Sequence, residues 1–194
     1  GYLANAGGVR SQGVEFETVY RPSSRFRAYA NGAYTDATYT EFVDAPCPPE
    51  LTGGATATGS QVPGDPGVPG ALSPANCDIS GQRLPGVSKW AASYGFEVNR
   101  PATVFAKEGE VYFGFDGSYR SDWSSNPAPS AYTWVAPATL ANVRAGFRTG
   151  EFNLFAWVRN AFDEQTFDYL TVASGSTGLI VGQPSDPRTY GVTL

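Results

Sequence analysis

The sequence predicts an all-β fold: an antiparallel up-and-down meander of about seven strands that forms part of a transmembrane β-barrel. Apolar and polar residues alternate with a period of two over stretches of about 11–18 residues, which is longer than most strands of soluble sheets. One side of several successive stretches is almost free of charge. The long connections all fall at one end of the meander and the short ones at the other, as in transmembrane barrels.

The alternation assigns the strands in chain order. We predict strands over 11–21, 25–42, 86–99, 110–123, 138–148 and 151–164, and a seventh after Pro187. The fourth is the clearest, because Val111, Phe113 and Trp123 share one face while Asp116 and Arg120 share the other. Predicted short turns span 22–24, 100–109 and 149–150. Predicted long loops span 43–85, 124–137 and 164–186.

Composition and charge exclude several function classes. The 194 residues carry a net charge of −5 with only 13 Lys and Arg, which argues against a nucleic-acid partner. There is no run of 18 apolar residues, so we predict no membrane-spanning helix, and any crossing is by strands. Aromatic residues make up 14% and charged residues 16%, a balance that is unusual for a soluble globule.

The sequence lacks the residues and motifs of several common enzyme classes. Without histidine there is no Ser-His-Asp arrangement, and neither a P-loop nor a glycine-rich dinucleotide motif occurs. We therefore predict no enzyme activity, no cofactor and no metal site. The adjacent acids Asp163 and Glu164 are predicted to end a strand rather than to act as paired catalytic carboxylates.

The two cysteines, Cys47 and Cys77, lie in the long Pro/Gly/Ser/Thr-rich segment. One such pair supplies too few ligands for a metal site. A disulfide is favoured over two free thiols, and it implies an oxidising compartment.

Candidate binding residues fall into two groups. Tyr132 and Trp134 in the second long loop are candidates for stacking on a ligand, with loop packing or interfacial anchoring as the alternative. A set of charged residues is predicted to face the barrel lumen, where it contacts a plug or solute or forms mutual ion pairs. The set is Glu15, Glu17, Arg25, Arg27, Asp116, Arg120, Arg144 and Arg159.

Four segments, in order, resemble motifs of TonB-dependent outer-membrane receptors. They are Asn5–Glu15, Arg83–Trp90, Trp157–Glu164 and Pro187–Leu194. The resemblance implies a place in the outer membrane of a Gram-negative bacterium and the uptake of a scarce solute such as a ferric siderophore. It also implies that long outer loops capture the ligand. The implied partners are outer-membrane lipid, a small-molecule ligand, a plug domain, the rest of the barrel and TonB.

The chain departs from the family pattern in ways that suggest a segment of a larger protein. Val87 or Ser88 stands where the family usually has proline, and the usual closing aromatic residue is not reached at Leu194. There is no methionine, signal peptide, plug domain or TonB box. We expect residues 1–194 to be a C-terminal barrel segment.

Two other classes remain open at this stage. A small autonomous outer-membrane barrel with a structural or adhesion role would need an eighth strand, for which Gly1–Val9 is the candidate. A secreted soluble β-sandwich that binds carbohydrate would show similar alternation.

Overall fold

The computed structural model describes residues 7–45, 47, 77–127, 130–173 and 179–194. The strands within these ranges are β1 (Gly8–Ser23), β2 (Phe26–Glu41), β3 (Trp90–Val104), β4 (Lys107–Arg120), β5 (Trp123–Ser124), β6 (Trp134–Val135), β7 (Ala138–Arg148), β8 (Asn153–Arg159), β9 (Phe167–Val172), β10 (Ile180–Pro184) and β11 (Thr189–Thr193). Seven of them form one antiparallel sheet in the order β1-β2-β3-β4-β7-β8-β11, which confirms the predicted meander. The described residues include no helix long and apolar enough to cross a membrane. The candidate eighth strand, Gly1–Val9, lies mostly outside the described residues.

The register of the sheet places apolar residues from all seven strands on one face. Phe26 on β2 lies opposite Val98 on β3, which lies opposite Phe113 on β4. The row continues through Ala145, Ala156 and Val192 on β7, β8 and β11. Phe113 is still 41% exposed, and Phe16 on β1 is 58% exposed. A continuous apolar face with so much exposed surface suits contact with lipid.

Aromatic contacts mark both limits of this apolar face. Tyr34 and Trp90 lie 4.7 Å apart between ring centroids, near the strand ends that carry the long connections. Tyr20 and Phe26 lie 6.5 Å apart near a short turn. Phe26 and Tyr34 are separated by about 26 Å along β2 at ~3.3 Å per residue. At the ~35–45° tilt of barrel strands this span covers about 20 Å of height, most of the ~25 Å apolar band that aromatic girdles border in a barrel wall.

The three tight connections, β1–β2, β3–β4 and β7–β8, lie at one end of the sheet, which we call the short-turn end. The long-loop end carries the three long connections. The predicted turn at 100–109 is shorter than expected, because β3 continues to Val104 and only Phe105 and Ala106 form the turn. Both have positive φ, 50° and 59°. Pro101 is tolerated in β3 because β2 stops pairing at Val98, so no N–H is needed at that edge.

At the long-loop end the structure departs from the sequence prediction. β3 begins at Trp90 rather than Gly86, and β4 ends at Arg120 rather than Trp123. Trp123 pairs with Val135 in the small β5–β6 ladder and is only 9% exposed, so its placement on the apolar face of the fourth strand was wrong. The sixth strand ends at Arg159, and the predicted loop 164–186 contains the β9–β10 hairpin.

Candidate functional site

The face opposite the apolar one, which we call the lumen-side face, carries a network of ion pairs across three strands. Arg144 on β7 donates to Asp116 on β4, and another of its nitrogens lies 3.3 Å from a Glu97 oxygen on β3. Arg148 on β7 lies 2.8 Å from the other Glu97 oxygen and 3.1 Å from a Glu110 oxygen. Glu97 is therefore shared by two arginines. We call these five residues the ion-pair network.

The sheet register explains how Arg144 reaches two strands. Glu97 lies opposite Gly114 on β4, and Gly114 lies opposite Arg144. A Cβ atom at Gly114 would lie 2.9 Å from Arg144 Cζ, so the missing side chain leaves room for the guanidinium across β4. The Tyr29 hydroxyl on β2 donates to Asp116 at 3.0 Å and extends the network to a fourth strand.

The four residues predicted to face the lumen, Asp116, Arg120, Arg144 and Arg159, all lie by register on the face opposite the apolar one, and the lining of a barrel lumen by this face stays a prediction. Asp116 and Arg144 pair with each other, which is the arrangement expected of mutual ion pairs. Contact of these residues with a plug or solute stays a prediction. The other charged residues predicted for this face, Glu15, Glu17, Arg25 and Arg27, are exposed and form no ion pair with another described residue.

Arg120 anchors the chain that re-enters the sheet before β3. Its Nε donates to Ser88 Oγ at 2.5 Å, and a terminal nitrogen donates to the Gly86 carbonyl at 2.6 Å. Its guanidinium carbon also lies 4.0 Å from the ring centroid of Trp123. These contacts fix the start of β3 to the end of β4.

Residues 79–89 tie the long loops together at the long-loop end. Backbone groups of this segment form hydrogen bonds with β2 near the long-loop end, for example from Leu84 N to the Ala37 carbonyl at 3.0 Å. Arg83 lies 2.5 Å from Asp122, and its guanidinium carbon lies 4.2 Å from the ring centroid of Trp134. Trp134 is thus partly buried and packs within the loops.

Tyr132, the other candidate ligand residue, lies in the short 3-10 helix Ala131–Thr133 and is 64% exposed. Its backbone N–H is capped by the Ser130 side chain at 3.1 Å. The structure therefore holds the backbone of this helix firmly while its aromatic side chain stays open to solvent. Ligand binding by Tyr132 and Trp134 stays a prediction.

The β9–β10 hairpin packs back onto the second long loop. The Ser125 hydroxyl donates to the Leu170 carbonyl and accepts from Leu170 N at 2.9 Å. Beneath the hairpin is a cavity of about 270 Å³ whose wall includes Arg120 and Leu140 of the lumen-side face. Phe167 and Asp168 of β9 also line it. The hairpin therefore lies over the lumen-side face.

Asn160 closes the base of the loop that carries this hairpin. Its side chain donates to the carbonyls of Glu164 at 2.9 Å and Asp186 at 3.2 Å, and it accepts from Glu164 N at 2.8 Å. Asp163, the neighbour of Glu164, accepts from Arg188 N at 3.1 Å. These contacts hold the loop base beyond β8, which ends at Arg159, so the prediction that Asp163 and Glu164 end the strand was wrong.

Cys47 and Cys77 form a disulfide, as predicted. It closes the base of the first long connection, beside the backbone bridge between Ala45 and Cys77. Next to the disulfide, two hydrogen bonds from Ser80 lower the pKa of Asp78. The bond from the Ser80 hydroxyl has the larger effect and the bond from the Ser80 backbone N–H the smaller one. The described residues contain no group of three or more Cys, Asp or Glu placed to hold a metal ion.

The comparisons with known proteins agree with this architecture. A family model described as "TonB dependent receptor-like, beta-barrel" matches residues 1–161. The chain belongs to this family of TonB-dependent receptor β-barrels.

Among solved structures, the chain is similar to the ferric yersiniabactin uptake receptor FyuA from Yersinia pestis, with a TM-score of 0.69 and 17% sequence identity. The match covers 98% of this chain and 24% of the receptor, so the chain spans about a quarter of that protein's length. At this identity the likeness concerns the fold. No curated protein sequence gives a match.

Proposed function

We propose that this chain forms part of the barrel wall of an outer-membrane receptor that imports a scarce solute, such as a ferric siderophore, using energy passed through TonB. The observation that carries the proposal is the two-faced sheet. One face presents apolar side chains across seven strands, and the other presents ion pairs and polar groups. Lipid on one side and a wet lumen on the other account for both faces.

The partners we propose follow from the same geometry. The apolar face contacts outer-membrane lipid. β1 and β11 are the edges of the described sheet, and unpaired backbone groups in lipid cost several kcal/mol each, so further strands of the barrel complete both edges. The lumen-side face then surrounds a plug domain, and TonB acts through that plug.

The long-loop end is the side that we propose captures the solute. The re-entry segment, the second long loop and the β9–β10 hairpin are fastened to one another through Arg83 and Ser125. Such a block presents a preformed surface to a ligand, which reduces the entropy lost on binding. Tyr132 is the exposed aromatic side chain that we assign to ligand contact, and Trp134 supports it from within the loops.

Uptake measurements in cells test the proposal. Deleting the gene should abolish uptake of one class of scarce solute, and the same loss should appear in a strain that lacks TonB. Tyr132→Ala should raise the KM for uptake, whereas Phe105→Ala, which removes a side chain that is 90% exposed at the short-turn end, should not. Uptake that continues without TonB, or a deletion that changes no uptake, would refute the proposal.

A further inference from the structure

The β5–β6 ladder lies between two arginine side chains, each stacked on a tryptophan. Trp123 on β5 pairs with Val135 on β6, and Trp134 is the residue before Val135. Because neighbouring residues of a strand point to opposite sides, the two tryptophans lie on opposite sides of the ladder. The guanidinium carbon of Arg120 lies 4.0 Å from the Trp123 ring centroid, and that of Arg83 lies 4.2 Å from the Trp134 ring centroid. Each side of the ladder is thus covered by an arginine.

Each guanidinium also donates hydrogen bonds from its edge while its face lies on the ring. Arg83, whose side chain is 19% exposed, donates to the Asp122 carboxylate at 2.5 Å. Arg120 donates to Ser88 Oγ at 2.5 Å and to the Gly86 carbonyl at 2.6 Å. A planar guanidinium presents its face to a ring and its edge to oxygen acceptors at once, which the compact ammonium of lysine does not. The arrangement therefore depends on arginine rather than on positive charge alone.

The ladder leads directly into the short helix that carries Tyr132. β6 begins at Trp134, the residue after the 3-10 helix Ala131–Thr133. Ser125 N donates to the Thr133 carbonyl at 3.0 Å, and Thr133 is fully buried. Tyr132 itself is 64% exposed, so its position depends mainly on the backbone that carries it. That backbone continues into the ladder that the two arginines cover.

Resting on the function proposed above, we propose that Arg83 and Arg120 are positioning residues that hold Tyr132 ready for the solute by clamping the β5–β6 ladder from its two sides. Motion of the helix that carries Tyr132 would have to be lost when a solute binds, and this loss weakens binding. Removing a clamp should therefore weaken capture of the solute without slowing its passage through the receptor.

A nitroxide spin label at Tyr132→Cys, in the intact receptor embedded in lipid, reports the order of this helix without any solute. Cys47 and Cys77 are bonded to each other and do not take the label. Arg83→Gln and Arg120→Gln should each convert the slow component of the label spectrum into a fast one. Arg83→Lys should do the same, because it keeps the charge but not the combination of stacking and edge hydrogen bond.

The matched control is Arg10→Gln, which removes another arginine at the long-loop end. Arg10 belongs to β1 and lies 3.6 Å from Asp36, so its loss should leave the label spectrum unchanged. Trp134→Leu removes the other partner of one stack and should mobilise the label as Arg83→Gln does. Heat modifiability on gels verifies that each barrel has folded. An unchanged spectrum in the Arg83 variants or in Trp134→Leu, or an equal change in the control, would show that the stacks do not position Tyr132.

Uptake kinetics separate positioning from a general structural role. The probe is radioactive iron bound to the siderophore that the gene-deletion strain fails to import. Arg83→Gln should raise the KM about threefold to tenfold at unchanged Vmax per folded receptor. In the Tyr132→Ala background the same substitution should add nothing further, because the side chain that it positions has been removed.

The two proposals fail in different ways. Additive effects of Arg83→Gln and Tyr132→Ala on the KM, or a loss confined to Vmax, would refute the positioning role. A deletion strain that imports every ferric siderophore tested would refute the proposed solute, and the label spectra would still decide whether the two arginines hold the loop in place.

Discussion

Replacing Glu97 by glutamine removes the carboxylate that Arg144 and Arg148 share, at 3.3 Å and 2.8 Å. The Glu97 side chain is 25% exposed, so the loss should exceed the ~0.2–1 kcal/mol of an exposed pair and stay below the ~3–5 kcal/mol of a fully buried one. We expect Glu97→Gln to lower the free energy of unfolding by about 1–2 kcal/mol.

The assay is urea unfolding of the folded receptor in lipid vesicles, followed by tryptophan fluorescence. A double-mutant cycle with Arg148→Gln isolates the pair, and its coupling should be about 1 kcal/mol. The matched control is the Lys107–Glu151 pair at 3.0 Å, whose side chains are 54% and 72% exposed. Its coupling should be ~0.5 kcal/mol or less. A Glu97–Arg148 coupling no larger than the control would refute the view that these residues brace the wall.

Three further predictions concern the apolar face, a glycine and the outer loop. The Phe96 ring lies on the apolar face and stacks on the rings of Phe26 and Phe115. Phe96→Lys should therefore destabilise the barrel by about 2–4 kcal/mol, whereas Ser93→Lys on the lumen-side face should not. Gly146→Ala should reduce the yield of folded barrel, because its Cβ would lie 2.5 Å from backbone, whereas Gly150→Ala meets no atom within 4 Å. Asn160→Ala should make the loop 164–186 more sensitive to protease, because both ends of the loop lose a bond to its side chain.

Each of these predictions has a result that contradicts it. Equal stability of the two lysine variants, measured by urea unfolding, would mean that the two faces do not differ in environment. Folded Gly146→Ala protein at the Gly150→Ala yield, measured by heat modifiability, would mean that the strands β7 and β8 can separate to admit a methyl group. Unchanged protease cleavage of Asn160→Ala at 164–186 would show that packing of the hairpin, rather than this side chain, holds the loop.

The number and order of strands in the seven-stranded sheet, and the face on which each side chain lies, could be predicted because each of these strands has its own alternation of apolar and polar residues. Val111, Phe113 and Phe115 lie on the face that the alternation predicts. The disulfide between Cys47 and Cys77 could also be predicted, because two cysteines and no histidine leave few alternatives.

The ion-pair network could be predicted only in part, because it depends on register between strands. Asp116 and Arg144 were recognised as polar-face residues, but the sharing of Glu97 between Arg144 and Arg148 follows from Gly114, which separates the strands without a side chain. No pattern within one strand reports which residues of its neighbours lie opposite.

The ends of strands were the least predictable feature. Phe105 and Ala106 adopt positive φ without the glycine or asparagine that usually marks such a turn, so the sequence indicated a broad turn instead. In the third long loop, Phe167–Val172 has only six residues, and the glycine and serine residues beside it favour a loop. It pairs with Ile180–Pro184 and hydrogen-bonds through Leu170 N to Ser125 of the second long loop, contacts that no local pattern in the sequence indicates.

Accessibility along β4 tests the central claim most directly. Single spin-labelled cysteines at positions 111 to 116 of the membrane-embedded receptor can be probed with oxygen, which concentrates in lipid, and with a polar nickel chelate, which stays in water. We predict oxygen exposure at Val111, Phe113 and Phe115, and nickel exposure or burial against the plug at the alternate positions. Equal accessibility at neighbouring positions, or nickel exposure at Val111, Phe113 and Phe115, would contradict the assignment of the apolar face to lipid.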